Sequence, residues 1–363
     1  MADQYPMPDD RVLAQLRGGV AIPAHPLALN RDRKLDERRQ RALTRYYLAA
    51  GAGGLALAVH STQFEIRRPE FDLLRPVLEL GVDEMRRHES SGRVIAKIAG
   101  VCGATTEAVG EAELAADLGY DAGLLNLAAL QDADDDALIE HCRQVAKVIP
   151  LFGFYLQASV GGRLLGVGFW RRFVEIENVI GIKIAPFDRY ATIDVIRAVA
   201  EAGRDGTIAL YTGNDDNIVC DLLGEWTFSV RGEPVTQRIV GGLLGHWAYW
   251  TKRSVEILDC CQQISDRDRS EGFAGVPGKM MAINRQITDM NAAVFDPAHN
   301  FSGCIPGIQE VLRRQGLLEG GWCLDPAAAL SPGQSEEITR VCRAYPHLTD
   351  DQFIAEHLDE WLS

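Results

Sequence analysis

Eight short apolar runs, each followed by a stretch with helical spacing, constrain this 363-residue chain more than any other feature. The runs cover residues 19–23, 54–59, 94–101, 122–127, 150–155, 179–184, 207–211 and 238–243. Apolar strands of this kind, alternating with helices, predict a parallel sheet covered on both faces. Helical segments over 35–50, 105–118, 134–148 and 192–202 lie between them. In the last, Ile193, Ile196 and Ala200 recur on one face, and Gly203 supplies a stop. Eight such units within about 230 residues predict an α/β fold, a (β/α)8 TIM barrel. The competing topology is an open doubly wound sheet, but no GxGxxG follows the first run, so its nucleotide-binding turn is missing.

The expected organisation is an N-terminal arm over 1–18, polar in composition, a barrel catalytic domain over 19–250, and a C-terminal helical region over 251–363. In that last region 254–264, 279–290, 308–315 and 336–344 read as helices, and 270–278 and 296–306 as loops. The 225–237 insert is long for a connection between barrel units, which suggests a lid or a subunit contact. A formal charge of −14 argues against a nucleic-acid partner, because phosphate binding needs a basic field. No apolar run approaches the length of a membrane span, and the opening MADQYPMPDD has no signal-peptide core. The expectation is therefore a cytoplasmic protein with no membrane partner. Eight scattered cysteines fit that compartment as free thiols. The close pair Cys260–Cys261 is wrongly spaced for a metal, so no metal site is expected, and Cys102, at a strand end, reads as a buried thiol.

One strand carries chemistry. In VIGIKIAPFDRY, residues 179–190, Lys183 stands among Ile180, Ile182 and Ile184. Burying an ammonium there costs solvation, which lowers its pKa and raises the share of free amine. A free amine attacks a ketone and forms a Schiff base. The chain holds only six lysines against 31 arginines, and Lys97 on the third strand is the rival candidate. Tyr155 ends the fifth strand, 28 residues before Lys183. The second strand runs into His60, Ser61 and Thr62. A polar turn from Thr212 through Gly213, Asn214, Asp215 and Asp216 to Asn217 follows the seventh, and Gly241 and Gly242 lie in the eighth.

This order resembles the dihydrodipicolinate synthase and N-acetylneuraminate lyase family, from about residue 19 to residue 330 and including GIQEVLRRQGLLEGG at 307–321. The Tyr155-to-Lys183 spacing and the Gly-Ile-Lys tripeptide at 181–183 are its specific elements. The resemblance implies an imine on Lys183, proton transfer by Tyr155 and a 2-oxo-acid carboxylate bound by Ser61 and Thr62. It also implies no cofactor, since the lysine is itself the electron sink, and a homodimer or homotetramer. Several positions depart from the family. Its Gly-Thr-Thr-Gly-Glu loop is His60-Ser61-Thr62-Gln63-Phe64 here, and its tyrosine-bearing turn after strand four is Leu127-Ala128-Ala129. The arginine expected soon after Tyr155 is displaced to Arg163.

The resulting expectation is a Schiff-base-forming lyase, an aldolase or dehydratase, acting on a small 2-oxo acid or keto-sugar acid. Lys183 and Tyr155 are the catalytic pair; His60, Ser61, Thr62, Gly213, Asn214, Gly241 and Gly242 bind substrate. Two alternatives stand beside it: a hydratase-aldolase for unsaturated or aromatic pyruvate derivatives, and a barrel that binds a metabolite without catalysis.

Overall fold

Nine strands organise residues 5–271 and 275–363, the part of the chain that the computed structural model describes. They are β1 (Ala21–Pro23), β2 (Gly54–Leu57), β3 (Ala96–Val101), β4 (Ala122–Leu125), β5 (Leu151–Leu156), β6 (Val179–Ala185), β7 (Ala209–Thr212), β8 (Glu225–Val230) and β9 (Glu233–Leu244). All but β8 pair in parallel in the order β1-β9-β7-β6-β5-β4-β3-β2. A parallel bridge between Ala24 and Ala56 joins the two ends, so the sheet curls into the expected (β/α)8 barrel. Strands buried on both faces read as unbroken apolar runs, which is why each of the eight lies within a few residues of its expected position.

Two apolar cores follow from the alternation of side chains across the barrel wall. Ile22, Ile98, Leu124, Phe152, Phe154 and Tyr211 fill the interior, while Leu55, Leu57, Ile182, Ile184 and Leu210 face the surrounding helices. The N-terminal segment is more than a polar arm. Residues Asp10–Gly18 form a helix capped by the Asp9 carboxylate, and Val12, Leu13 and Leu16 pack into the interior core. Tyr211 donates its hydroxyl to the Leu16 carbonyl at 2.8 Å. This helix closes the end of the barrel where the strands begin.

The 225–237 insert is a hairpin, with β8 antiparallel to the first half of β9 from Glu225↔Arg238 to Val230↔Glu233. It precedes the part of β9 that enters the barrel wall at Ile239. It therefore sits at the strand-start end and cannot act as a lid over the opposite mouth.

After β9 the chain is helical through Thr251–Glu271, Gly278–Phe295, Cys304–Arg314, Gln334–Ala344 and Asp351–Trp361. Of the loop expected over 270–278, residues 272–274 lie outside the described residues. Asp350 ties this region to the barrel. Its carboxylate accepts the Lys252 and Arg253 N–H groups at 2.7 and 3.0 Å and the Tyr46 hydroxyl at 2.6 Å. Two orphan donors at a helix start are thereby satisfied from a distant loop.

Candidate active site

Lys183 turns inward from β6, so the strand ends deliver an amine to the barrel mouth. Its Nζ lies 4.4 Å from the centroid of the Phe154 ring, and among the described residues it makes no hydrogen bond or ion pair. Burial lowers its pKa well below that of a solvated lysine, against the opposing pull of Asp215 and Cys304. The amine opens on a cavity at the barrel mouth. Besides Lys183, the polar groups on its wall are His60, Ser61, Gln157, Asp215 and Cys304.

Each expected site residue now has a place. His60 lines the cavity, and burial together with the nearby Lys183 lowers its pKa to about 4, so the imidazole is neutral at physiological pH. Ser61 also lines it, with its hydroxyl donated to the Ala24 carbonyl at 2.7 Å. Thr62 does not reach the wall. Its hydroxyl donates to the His25 carbonyl at 2.7 Å and accepts the Val59 N–H at 3.1 Å, pinning the loop to the end of β1. Gly213 lines the cavity, but Asn214 points away from it. The Asn214 side chain accepts the Phe187 N–H at 3.0 Å and donates to Asp221 at 3.0 Å, which shapes the turn. Gly241 and Gly242 bind nothing in the cavity. Added Cβ atoms there would meet the Val20 carbonyl at 2.5 Å and Trp247 at 2.6 Å, so these glycines serve packing.

Tyr155 is the main correction. Its ring lies in the helix layer, 5.4 Å from Trp170, and its hydroxyl accepts the Leu165 N–H at 3.2 Å. The cause is a bulge. Leu151 pairs with Val179, and in that register, 28 residues apart, Tyr155 would pair with Lys183. Between Leu151 and Phe152 the register slips by one, so Tyr155 pairs with Ile184 and Phe154 with Lys183. A one-residue slip reverses which face a side chain occupies. We therefore expect Tyr155→Phe to turn over within about threefold of the wild-type rate. Its unfolding free energy should fall by about 0.5–1.5 kcal/mol, the worth of one hydrogen bond. Steady-state kinetics and urea titration read the two effects, and a hundredfold loss of rate would return the tyrosine to the chemistry.

Other rivals are removed by their contacts. Lys97 donates to Glu89 at 2.6 Å and lies 3.6 Å from Asp121, near the strand-start end. Arg163 gives its guanidinium to the Leu130 and Ala133 carbonyls, away from the cavity. Cys102 is absent from the wall, and burial pushes its pKa up to about 11. No group of three or more histidine, cysteine, aspartate or glutamate side chains that could hold a metal occurs among the described residues.

The C-terminal region supplies wall residues that sequence reasoning does not find. Phe295, Phe301, Cys304 and Ile308 face Lys183 from segments expected to form an appendage and a loop. Phe301 and Phe187 both adopt positive φ, 64° and 55°, and their rings meet edge to face with centroids 5.9 Å apart. Bulky residues seldom hold that backbone conformation, and such strain concentrates at functional sites. Asp215 belongs to the polar turn after β7, so its neighbourhood was legible, but which of the turn's side chains faces inward was not.

The profile of the Dihydrodipicolinate synthetase family matches residues 19–225, more than half of the chain. A 4-hydroxy-tetrahydrodipicolinate synthase from Azoarcus sp. (strain BH72) is 25% identical over 307 residues, covering 83% of this chain and 89% of that one. Among solved structures, dihydrodipicolinate synthase from Aquifex aeolicus has a TM-score of 0.70 at 17% identity, covering 91% of this chain and 99% of that one. The Escherichia coli K12 prophage protein YagE, solved with pyruvate, has a TM-score of 0.69 at 17% identity, covering 90% and 98%. N-acetylneuraminate lyase from Fusobacterium nucleatum has a TM-score of 0.66 at 16% identity, again covering 90% and 98%. The chain belongs to the dihydrodipicolinate synthetase family, whose members are class I aldolase-type lyases.

Proposed function

We propose that this protein is a Schiff-base-forming lyase acting on a 2-oxo acid through Lys183. The observation that carries the reading is an inward-facing buried amine, without a hydrogen-bond partner among the described residues, at the end of a barrel strand and open to a cavity. Attack of the amine on the substrate ketone and loss of water leave an iminium. Its positive nitrogen withdraws electrons, so a bond to the adjacent carbon breaks with the electron pair held as an enamine. The Ser61 hydroxyl would turn from the Ala24 carbonyl to donate to the substrate carboxylate, and neutral His60 can donate or accept a hydrogen bond beside it. The test is reduction with borohydride in the presence of pyruvate, followed by peptide mapping. A reduced pyruvyl adduct on Lys183 is expected; its absence with every 2-oxo acid tried would leave the non-catalytic binding barrel as the better reading.

One observation favours the unsaturated or aromatic pyruvate derivatives over a keto-sugar acid. Around Lys183 the wall is formed by Phe154, Leu156, Val160, Phe187, Phe295 and Phe301. A polyol in such a site would leave hydroxyls without partners, at roughly 1–3 kcal/mol each, whereas an aryl or alkyl group gains by burial. Among the described residues no arginine lines the cavity to hold a second carboxylate. The kcat/KM for arylidene and alkylidene pyruvates should exceed that for sugar-derived keto acids by at least about tenfold, with released pyruvate as the readout. The reverse ranking would restore the sugar-acid substrate.

A further inference from the structure

We propose that Asp215 is the proton-transfer group for the imine chemistry, doing in this cavity what a tyrosine hydroxyl on β5 does not. The inference rests on Lys183 being the imine-forming residue. Asp215 is the only carboxylate among the described residues that line the cavity, and it interacts with Lys183 across it. The fold brings the two together through Gly213. That residue's backbone packs so closely on β6 that an added Cβ would lie 2.8 Å from the Lys183 Cε. Two residues further on, the chain reaches Asp215. Its position is held from two sides: Asn291 donates to its carbonyl at 2.7 Å, and the His246 N–H donates to Oδ1 at 3.3 Å. Among the described residues no donor reaches Oδ2, which leaves that oxygen for a substrate or a shared proton.

The surroundings suit the task. Lys183 and Cys304 face Asp215 in the cavity, with His60 facing Lys183 on the same wall. Tyr249 lies behind it, the His246 ring is neutral through burial, and Asp216 follows on the exposed side. Burial raises the Asp215 pKa to about 7 and lowers that of Lys183, so near neutrality the two groups together hold about one proton. With the proton on the carboxyl, Lys183 is a free amine. It attacks the ketone carbon; the C–N bond forms as the C=O π bond opens, and Asp215 gives its proton to the new alkoxide. The resulting carboxylate takes one proton from the nitrogen and delivers it to the carbinolamine hydroxyl, which leaves as water. One amine, one ketone and one carboxylic acid thus become an iminium, a water and a carboxylate, balanced in atoms and charge.

The test compares wild type, Asp215→Asn and Asp215→Ala for the rate at which pyruvate and borohydride trap Lys183, and for turnover. Asp215→Asn keeps an acceptor for the His246 N–H, so its fold should be retained. Its trapping rate and kcat should fall about a hundredfold, with KM little changed and with the wild-type dependence on a group titrating near neutrality removed. Formate or acetate added to Asp215→Ala should restore trapping by at least about fivefold and saturate with concentration, which a merely structural aspartate would not allow. Trapping in Asp215→Asn within threefold of wild type, with the same pH profile, would overturn the inference. So would an Asp215→Ala protein that binds pyruvate but gains nothing from either acid. Failure to trap Lys183 in the wild-type protein would instead overturn the imine reading, and this inference with it.

Discussion

Lys183→Ala should abolish turnover, by at least about 10⁴-fold, and leave no reducible adduct with any 2-oxo acid. The variant removes the only amine on the cavity wall among the described residues. No other lysine is placed to replace it, since Lys97, the nearest rival in sequence logic, is engaged with Glu89 and Asp121. Lys183→Arg should be equally inactive. A guanidinium keeps its proton at all accessible pH values and offers no nucleophilic amine. The comparison separates charge from nucleophilicity, because a site that merely needed a cation would retain function in the arginine variant. In the wild type, trapping should rise with pH as Lys183 loses its proton and fall again once Asp215 has lost its own. That rise should lie below the range of a solvated lysine, because burial disfavours the ammonium. Intact-protein mass after reduction reads the adduct, and pyruvate release reads turnover. Residual turnover above about 1% in Lys183→Ala would contradict the imine mechanism.

Gly213→Ala should lower kcat by about a hundredfold while the protein stays folded. The methyl would stand 2.7 Å from the Ala185 Cβ and 2.8 Å from the Lys183 Cε, inside van der Waals contact on both sides. Neither strand can easily yield. Ala185 is fixed to the β6 backbone, and the Gly213 N–H donates to the Ile184 carbonyl at 2.7 Å, which keeps the turn against the strand. The flexible lysine stem is the part that moves, and a displacement near 1 Å at a reacting atom is costly because the near-attack geometry is lost. Gly213 is not among the glycines with positive φ, so the substitution carries no backbone penalty of its own. A larger loss for Gly213→Val than for Gly213→Ala, with unchanged circular dichroism, would support displacement of Lys183. Near-wild-type kcat in Gly213→Ala would show that the turn relaxes.

The eight barrel strands and Lys183, the lysine that the fold places on the cavity wall, were open to sequence reasoning, and for one physical reason. A parallel strand covered on both faces is a continuous apolar run, so its position is visible without knowing its neighbours, and a lysine within it is visible as an exception. Side-chain direction is a different matter. Whether Tyr155 faces Lys183 depends on one extra residue in the pairing of β5 with β6, and a count of 28 residues cannot reveal a bulge. Thr62 and Asn214 likewise sit in polar turns at the right end of the barrel, yet their hydrogen bonds to His25, Phe187 and Asp221 turn them from the cavity.

Long-range packing decided the rest. The helix Asp10–Gly18 looks polar in composition, and its apolar stripe gains meaning only against the barrel interior. Phe295, Phe301, Cys304 and Ile308 come from beyond the last barrel strand, in segments whose local pattern says helix or loop and nothing about a wall. The barrel strands, and the buried lysine proposed as their nucleophile, are written in local hydrophobicity and can be found without knowing the fold. Which polar groups share the cavity with that lysine, and how apolar its wall is, follow from strand register and helix docking, which are settled between residues far apart in the chain.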